Sequence, residues 1–151
     1  MQSNGFPRPR GFMDRRGFMN RRDQRPAGEP LRRVKVLLVE DEVLIADLVV
    51  DVLTEHGFDV CPFMTAIDAL KYLEADDKVD VLFTDINLPG SMDGVELAQR
   101  ARALRPELPV VYASGRHTAA TASPLVSHSL FLRKPYRAED VCTLLDRLTV
   151  H

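Results

Sequence analysis

Three runs in this chain are apolar on consecutive positions, not on alternate ones: Val34-Lys35-Val36-Leu37-Leu38-Val39, Val81-Leu82-Phe83-Thr84 and Pro109-Val110-Val111-Tyr112-Ala113. A strand with one wet face alternates, so runs like these fit strands covered on both faces, as in a parallel sheet between layers of helices. Each run stops at a residue with chemistry: Glu40-Asp41, Asp85 and Ser114. Asp85 is the sharpest case. A carboxylate closing a buried strand could simply cap the turn before Pro89, or it could project into the crevice where open α/β sheets bind ligands.

The segments between the runs carry helical periodicity. Leu44, Ile45, Leu48, Val49, Val52 and Leu53 form one expected apolar stripe, stopped at Gly57, and acidic residues at its start suit the helix macrodipole. Phe58 to Phe63 is a short strand whose Pro62 places it at or near a sheet edge. Thr65 to Ala75 is a helix with Ile67, Leu70 and Leu73 expected inward. Asp93 caps a helix running to Leu104, closed by Arg105-Pro106. Arg116 to Ser129, rich in Ala, Ser and Thr with Pro124 in its middle, gives at most a short or labile helix. Leu130 to Arg133 is a fifth strand ending in Lys134-Pro135, and Arg137 to Leu148 is a helix with Val141, Leu144, Leu145 and Leu148 on one face. Five strands alternating with five helical segments call for right-handed crossovers. The expected fold is α/β, a doubly wound five-stranded parallel sheet of flavodoxin-like order 2-1-3-4-5 with helices on both faces.

In such a sheet the strand ends share one edge, so Glu40-Asp41, Asp85, Ser114 and Lys134 converge. Several carboxylates together repel one another unless a positive group sits among them. A hard divalent cation, Mg²⁺, suits them: Asp41 and Asp85 as direct oxygen ligands and Glu40 through water. With Lys134 as a point charge and Ser114 as a hydroxyl donor, the set describes phosphoryl transfer with Asp85 as nucleophile.

Five motifs carry a family resemblance: Val39-Glu40-Asp41-Glu42, Thr84-Asp85-Ile86-Asn87-Leu88-Pro89, Met92-Asp93-Gly94-Val95-Glu96-Leu97, Ser114-Gly115 and Phe131-Leu132-Arg133-Lys134-Pro135. In this order they resemble the signature of a response-regulator receiver domain, over Val34 to Val150. The resemblance implies that Asp85 accepts a phosphoryl group from a histidine kinase or phosphotransfer protein. It also implies that Glu40, Asp41, Asp85 and the backbone carbonyl of Asn87 hold Mg²⁺. Ser114 would move toward the phosphoryl group, and Phe131 would occupy an aromatic switch position, a place equally suited to an ordinary core aromatic. Asn87 and Arg116 lie where the family tunes dephosphorylation. Two departures stand out. The loop from Asp85 to Gly94 is one residue longer than the usual pattern, at Gly90-Ser91, and the segment between Ser114 and Lys134 is shorter.

The 151 residues, 45% apolar and 28% charged, suit one ordinary domain. No apolar run approaches the roughly 20 residues of a membrane span, and the arginine-rich start is unlike a secretory signal, so a cytoplasmic protein is expected. Cys61 and Cys142 form no metal spacing and are expected to be buried free thiols. The net charge of -2 conceals an asymmetry: residues 1–33 hold nine arginines against three acids, +6, while residues 34–151 hold 11 basic and 19 acidic side chains, -8. The first segment is expected to be a disordered basic arm and 34–151 the receiver domain. Within the arm, Arg10-Gly11-Phe12-Met13-Asp14-Arg15 is repeated by Arg16-Gly17-Phe18-Met19-Asn20-Arg21. Arginine interleaved with phenylalanine suits nucleic acid, and equally a solvated tail, a contact with the acidic domain, or an upstream start with Met13 or Met19 as the true beginning.

Only Thr149, Val150 and His151 follow the last expected helix, so the expected output is protein binding, by a monomer or a phosphorylation-dependent dimer. Such a protein is a self-phosphorylating acceptor more than an enzyme in the usual sense. Two other readings compete with it. One is a phosphorylation-independent interaction module whose arm binds nucleic acid or an acidic partner. The other is a haloacid-dehalogenase-like phosphatase, which wants a second carboxylate where Asn87 stands.

Overall fold

The computed structural model describes residues 32–76, 78–115 and 125–149. Within the unit Val34–Thr149, the elements run β1 (Lys35–Val39), α1 (Val43–Glu55), β2 (Asp59–Phe63), α2 (Ala66–Ala75), β3 (Val81–Asp85), α3 (Gly94–Leu104), β4 (Val110–Ser114), β5 (Ser129–Arg133) and α4 (Ala138–Thr149). The strands form one sheet of order β2-β1-β3-β4-β5, parallel throughout. This is the expected doubly wound topology, with Pro62 on an edge strand. The weak helical segment expected over Arg116 to Ser129 and the basic arm lie largely outside the described residues, and the last expected helix is α4.

Strand alternation divides the core in two. Leu37, Val39, Leu82, Val110 and Tyr112 pack with α2 and α3, while Val36, Leu38, Val81, Phe83, Val111 and Ala113 pack with α1 and α4. Because both faces are covered, β3 and β4 are buried at every position, which is why their sequences are apolar without alternation.

The helices end where local chemistry dictates. Gly57, at φ 91°, closes α1 in the left-handed conformation, and the Phe58 N–H reaches back to the Leu53 carbonyl at 3.0 Å. Thr65 accepts from the Asp68 N–H at 3.2 Å to start α2, and Asp93 accepts from the Glu96 N–H at 2.9 Å to start α3.

Several burial expectations are corrected. Leu44 and Leu48 are 85% and 58% exposed, and Ile67 is 41% exposed. Their helices bury narrower stripes, Val49 and Leu53 in α1 and Ala66, Ala69 and Leu73 in α2. No acidic residue lies in the first turn of α1, which begins at Val43 after Glu42. Cys142 is buried but Cys61 is only half-buried, its thiol 3.3 Å from the Tyr72 hydroxyl.

At the sheet edge where β1 begins, a polar cluster that the sequence did not reveal ties three elements together. Lys35 Nζ donates to Asp76 at 2.7 Å and to the Tyr72 hydroxyl at 3.2 Å, and the Lys35 N–H donates to Asp80 at 2.8 Å. The Arg105 guanidinium donates to the carbonyls of Leu73 and Asp76, acceptors left open at the end of α2, and to that of Val79 just before β3. The Lys35 hydrogen bond holds the Asp76 carboxyl well below its usual value of 3.8. A depressed carboxylate stabilises the fold above its unfolded pKa and loses that contribution as pH falls through the folded one. Asp76→Asn is therefore expected to lower the melting temperature by a constant amount between pH 5 and 8, and the gap should narrow as pH drops below about 3.8.

Candidate functional site

The register of the sheet assembles the site. Val39 pairs with Thr84, so Glu40 lies level with Asp85; Asp85 pairs with Ala113, one residue before Ser114; and Arg133 pairs with Ser114, one before Lys134. Alternation then sorts the side chains. Glu40, Asp85 and Lys134 share the parity of the core residues under α1 and α4, whereas Ser114 shares that of Tyr112 and Phe131 under α2 and α3.

Lys134 Nζ donates to Glu40 Oε1 at 2.9 Å and to Asp85 Oδ2 at 3.0 Å, with Glu42 Oε2 at 3.9 Å. Glu40 is 2% and Asp85 6% exposed. Burial pushes the Glu40 carboxyl above its usual pKa, against opposing hydrogen bonds from Lys134 and the Glu42 N–H; the Asp85 charge pushes it further up. Burial disfavours the Lys134 ammonium, but its hydrogen bonds to Glu40 and Asp85 outweigh that and hold it above its ordinary value. Beneath the pocket Tyr136 packs on Phe83, ring centroids 5.9 Å apart, its hydroxyl pushed up to about 12 by burial and then by the Glu40 charge.

Glu40, Asp41 and Asp85 each offer an oxygen, all within 4.8 Å of one another. Three hard oxygen donors at that spacing fit Mg²⁺, which takes a few carboxylates and keeps its remaining waters. The second oxygen of Asp85, Oδ1, accepts from the Asn87 N–H at 3.0 Å. The Asn87 side chain donates to Ser114 Oγ, also at 3.0 Å, and Ser114 is fully buried. Of the expected site residues, Glu40, Asp41, Asp85, Asn87, Ser114 and Lys134 lie at this edge, Phe131 does not, and Arg116 lies outside the described residues. The Phe131 ring is half-buried against the core cluster that contains Tyr112, its partner on β4, and Tyr112 in turn accepts from the Val126 N–H at 3.1 Å.

The motif glycine has a steric role that the sequence alone did not show. Gly94 donates to the Ile86 carbonyl at 2.9 Å, and a Cβ there would collide with the backbone carbonyl of Asp85. The long loop bulges instead at Gly90, where φ is 99° and nothing lies within 4 Å of a Cβ position, so the approach of α3 to the acidic residue is preserved. Gly94→Ala is expected to cost about 1–3 kcal/mol or more in a urea titration, as overpacking does, whereas Gly90→Ala should cost less.

A doubly wound parallel sheet of order β2-β1-β3-β4-β5 with an acidic pocket and a lysine at its carboxyl edge defines a class, the flavodoxin-like α/β domains. The comparisons with known proteins narrow it. The model of the response regulator receiver domain family matches residues 36–146, and the chain belongs to that family. It is 32% identical over 115 residues to the nitrogen assimilation regulatory protein NtrX of Azorhizobium caulinodans, covering 74% of this chain and 25% of that protein. It is 28% identical over 118 residues to the response regulator receiver protein CpdR of Brucella abortus, covering 77% of this chain and 97% of that protein. A response regulator receiver protein from Sinorhizobium medicae superposes with a TM-score of 0.73 at 31% identity, over 79% of this chain and 96% of that one. The chain spans between a quarter and under half the length of several curated relatives it matches. Membership places the domain in two-component signalling. No described helix is long and apolar enough to cross a membrane.

Proposed function

We propose that this receiver domain accepts a phosphoryl group on Asp85 from a histidine kinase or a phosphotransfer protein, in the cytoplasm and with Mg²⁺ bound, and signals by protein–protein interaction. The observation that carries the reading is the double hold on the Asp85 carboxylate, Lys134 on Oδ2 and the Asn87 N–H on Oδ1. It fixes the nucleophile's orientation before any donor arrives.

An Asp85 oxygen forms the new bond to phosphorus while the phosphorus–nitrogen bond of the donor histidine breaks, its electron pair returning to the imidazole. Lys134 offers its charge to the oxygens on which negative charge spreads. Glu40, Asp41, Asp85 and the Asn87 carbonyl would hold Mg²⁺, whose chemistry is to neutralise those same oxygens. Ser114 would bond the transferred group, and Phe131 would then occupy the space its hydroxyl leaves.

The haloacid-dehalogenase-like reading has no support in the geometry, since the side chain two residues beyond Asp85 is an amide that hydrogen-bonds Ser114. The test is incubation of the full chain with acetyl phosphate and Mg²⁺, read as an 80 Da gain by intact mass under conditions that preserve acyl phosphates. A chain that gains no mass from acetyl phosphate, and none from any histidine kinase of its own genome, would overturn the proposal.

A further inference from the structure

The side chain of Asn87 makes a hydrogen bond that the phospho-acceptor reading does not use. Its backbone is pinned in a tight turn: the Leu88 N–H reaches the Ile86 carbonyl at 3.2 Å across it, while the Ile86 N–H is bonded to Ala113 at 2.9 Å and the Ile86 carbonyl also receives Gly94. Asn87 itself is exposed, yet its side chain turns back toward the sheet. From that turn the N–H holds Asp85 Oδ1 and the side-chain amide holds Ser114 Oγ, each at 3.0 Å. One residue thus joins the reacting carboxylate to a fully buried hydroxyl on the neighbouring strand.

Resting on the phospho-acceptor reading, we propose that Asn87 is a positioning residue whose side-chain amide keeps the Ser114 hydroxyl in its resting place. Loading of Asp85 then has to dissolve this bond before the switch can turn. The chemistry supplies the reason. The Asn87 N–H donates to a full carboxylate at rest, the stronger kind of hydrogen bond. Once Asp85 is an acyl phosphate that charge has moved outward onto the phosphoryl oxygens, which weakens its hold on the Asn87 N–H and attracts the Ser114 hydroxyl away from the amide. The turn and the hydroxyl are released by the same event. A hydrogen bond made only in the resting form biases the two-state equilibrium by about 2- to 10-fold. The apparent affinity for any ligand of the active form is reduced by the same factor.

The experiment uses the full chain with beryllofluoride and Mg²⁺ as a non-reactive phosphoryl mimic, titrated by calorimetry for the unaltered protein, Asn87→Ala, Ser114→Ala and the double variant. Alanine keeps the backbone N–H and carbonyl at position 87, so only the amide is lost. The expected result is that Asn87→Ala binds the mimic about 2- to 10-fold more tightly than the unaltered protein, while in the Ser114→Ala background the same change has no effect. That non-additivity isolates the amide–hydroxyl pair. Unchanged or weaker binding by Asn87→Ala overturns the proposal. So does an equal gain in both backgrounds, because the effect would then not pass through Ser114. Failure of the unaltered protein to bind beryllofluoride overturns the phospho-acceptor reading and this inference together, an outcome distinct from the other two.

Discussion

Asp85→Asn is expected to reduce phosphoryl labelling by acetyl phosphate, or by a cognate kinase, to the background of the assay while leaving a folded protein. The carboxamide keeps the shape of the side chain, can still accept from the Asn87 N–H, and leaves Lys134 bonded to Glu40 at 2.9 Å. What it removes is the anionic oxygen that would attack phosphorus. It also removes a like charge from beside Glu40, whose pKa that charge helps to raise. The variant should therefore hold Mg²⁺ more weakly, with one carboxylate fewer among the three, without losing its thermal transition. Intact mass and circular dichroism on the same samples check both halves. Labelling that persists at Asp85→Asn would move the acceptor elsewhere, and the proposed mechanism would fail.

Lys134→Met is expected to separate three quantities that move together in most damaged proteins. The ammonium is 14% exposed and bonded to two carboxylates that are themselves buried. Removing one partner of a buried ion pair strands the charges that remain, at about 3–5 kcal/mol. The cost should sit near the lower end, because Glu40 is already disposed to take up a proton. With the lysine gone, three carboxylates face one another with no cation between them, so Mg²⁺ should bind more tightly and return part of the lost stability. Phosphoryl uptake should nonetheless fall by about 100-fold, the usual consequence of deleting one preorganised donor to developing charge. Urea titrations with and without Mg²⁺, together with the rate of mass gain, read the three effects. A variant that is less stable but takes up phosphoryl at the original rate would give Lys134 a structural role only.

The sheet was legible because its signal is local. Continuous apolar runs announce strands covered on both faces, and the residue at which each run stops lies at the sheet edge whichever helices connect them. Glu40, Asp41, Asp85, Ser114 and Lys134 could be grouped before any coordinate was known, since parallel order alone sends strand ends to one side. Phe131 was legible as a strand aromatic but not as to what surrounds it. Periodicity identified α1 and α2 but overstated what they bury. Leu44 and Leu48 form a ridge four residues apart beside the one made by Val49 and Leu53, and only the second is buried. The Lys35, Tyr72 and Asp76 cluster and the Asn87–Ser114 bond escaped for another reason. Their partners lie 27 to 41 residues apart, and although Asn87 and Ser114 were each singled out, nothing in the sequence joins the amide of one to the hydroxyl of the other.

The alternation that puts Glu40, Asp85 and Lys134 on one side of the sheet and Ser114 and Phe131 on the other has a bearing on how such a domain is addressed. If Asp85 is loaded as proposed, the β-sheet would act as a septum: the charge would be delivered in one compartment and announced in the next, through a wall one strand thick. A donor seated over the α1 and α4 side would leave the α3 and β5 side uncovered, so arming and reading could overlap in time, with the donor still on its perch.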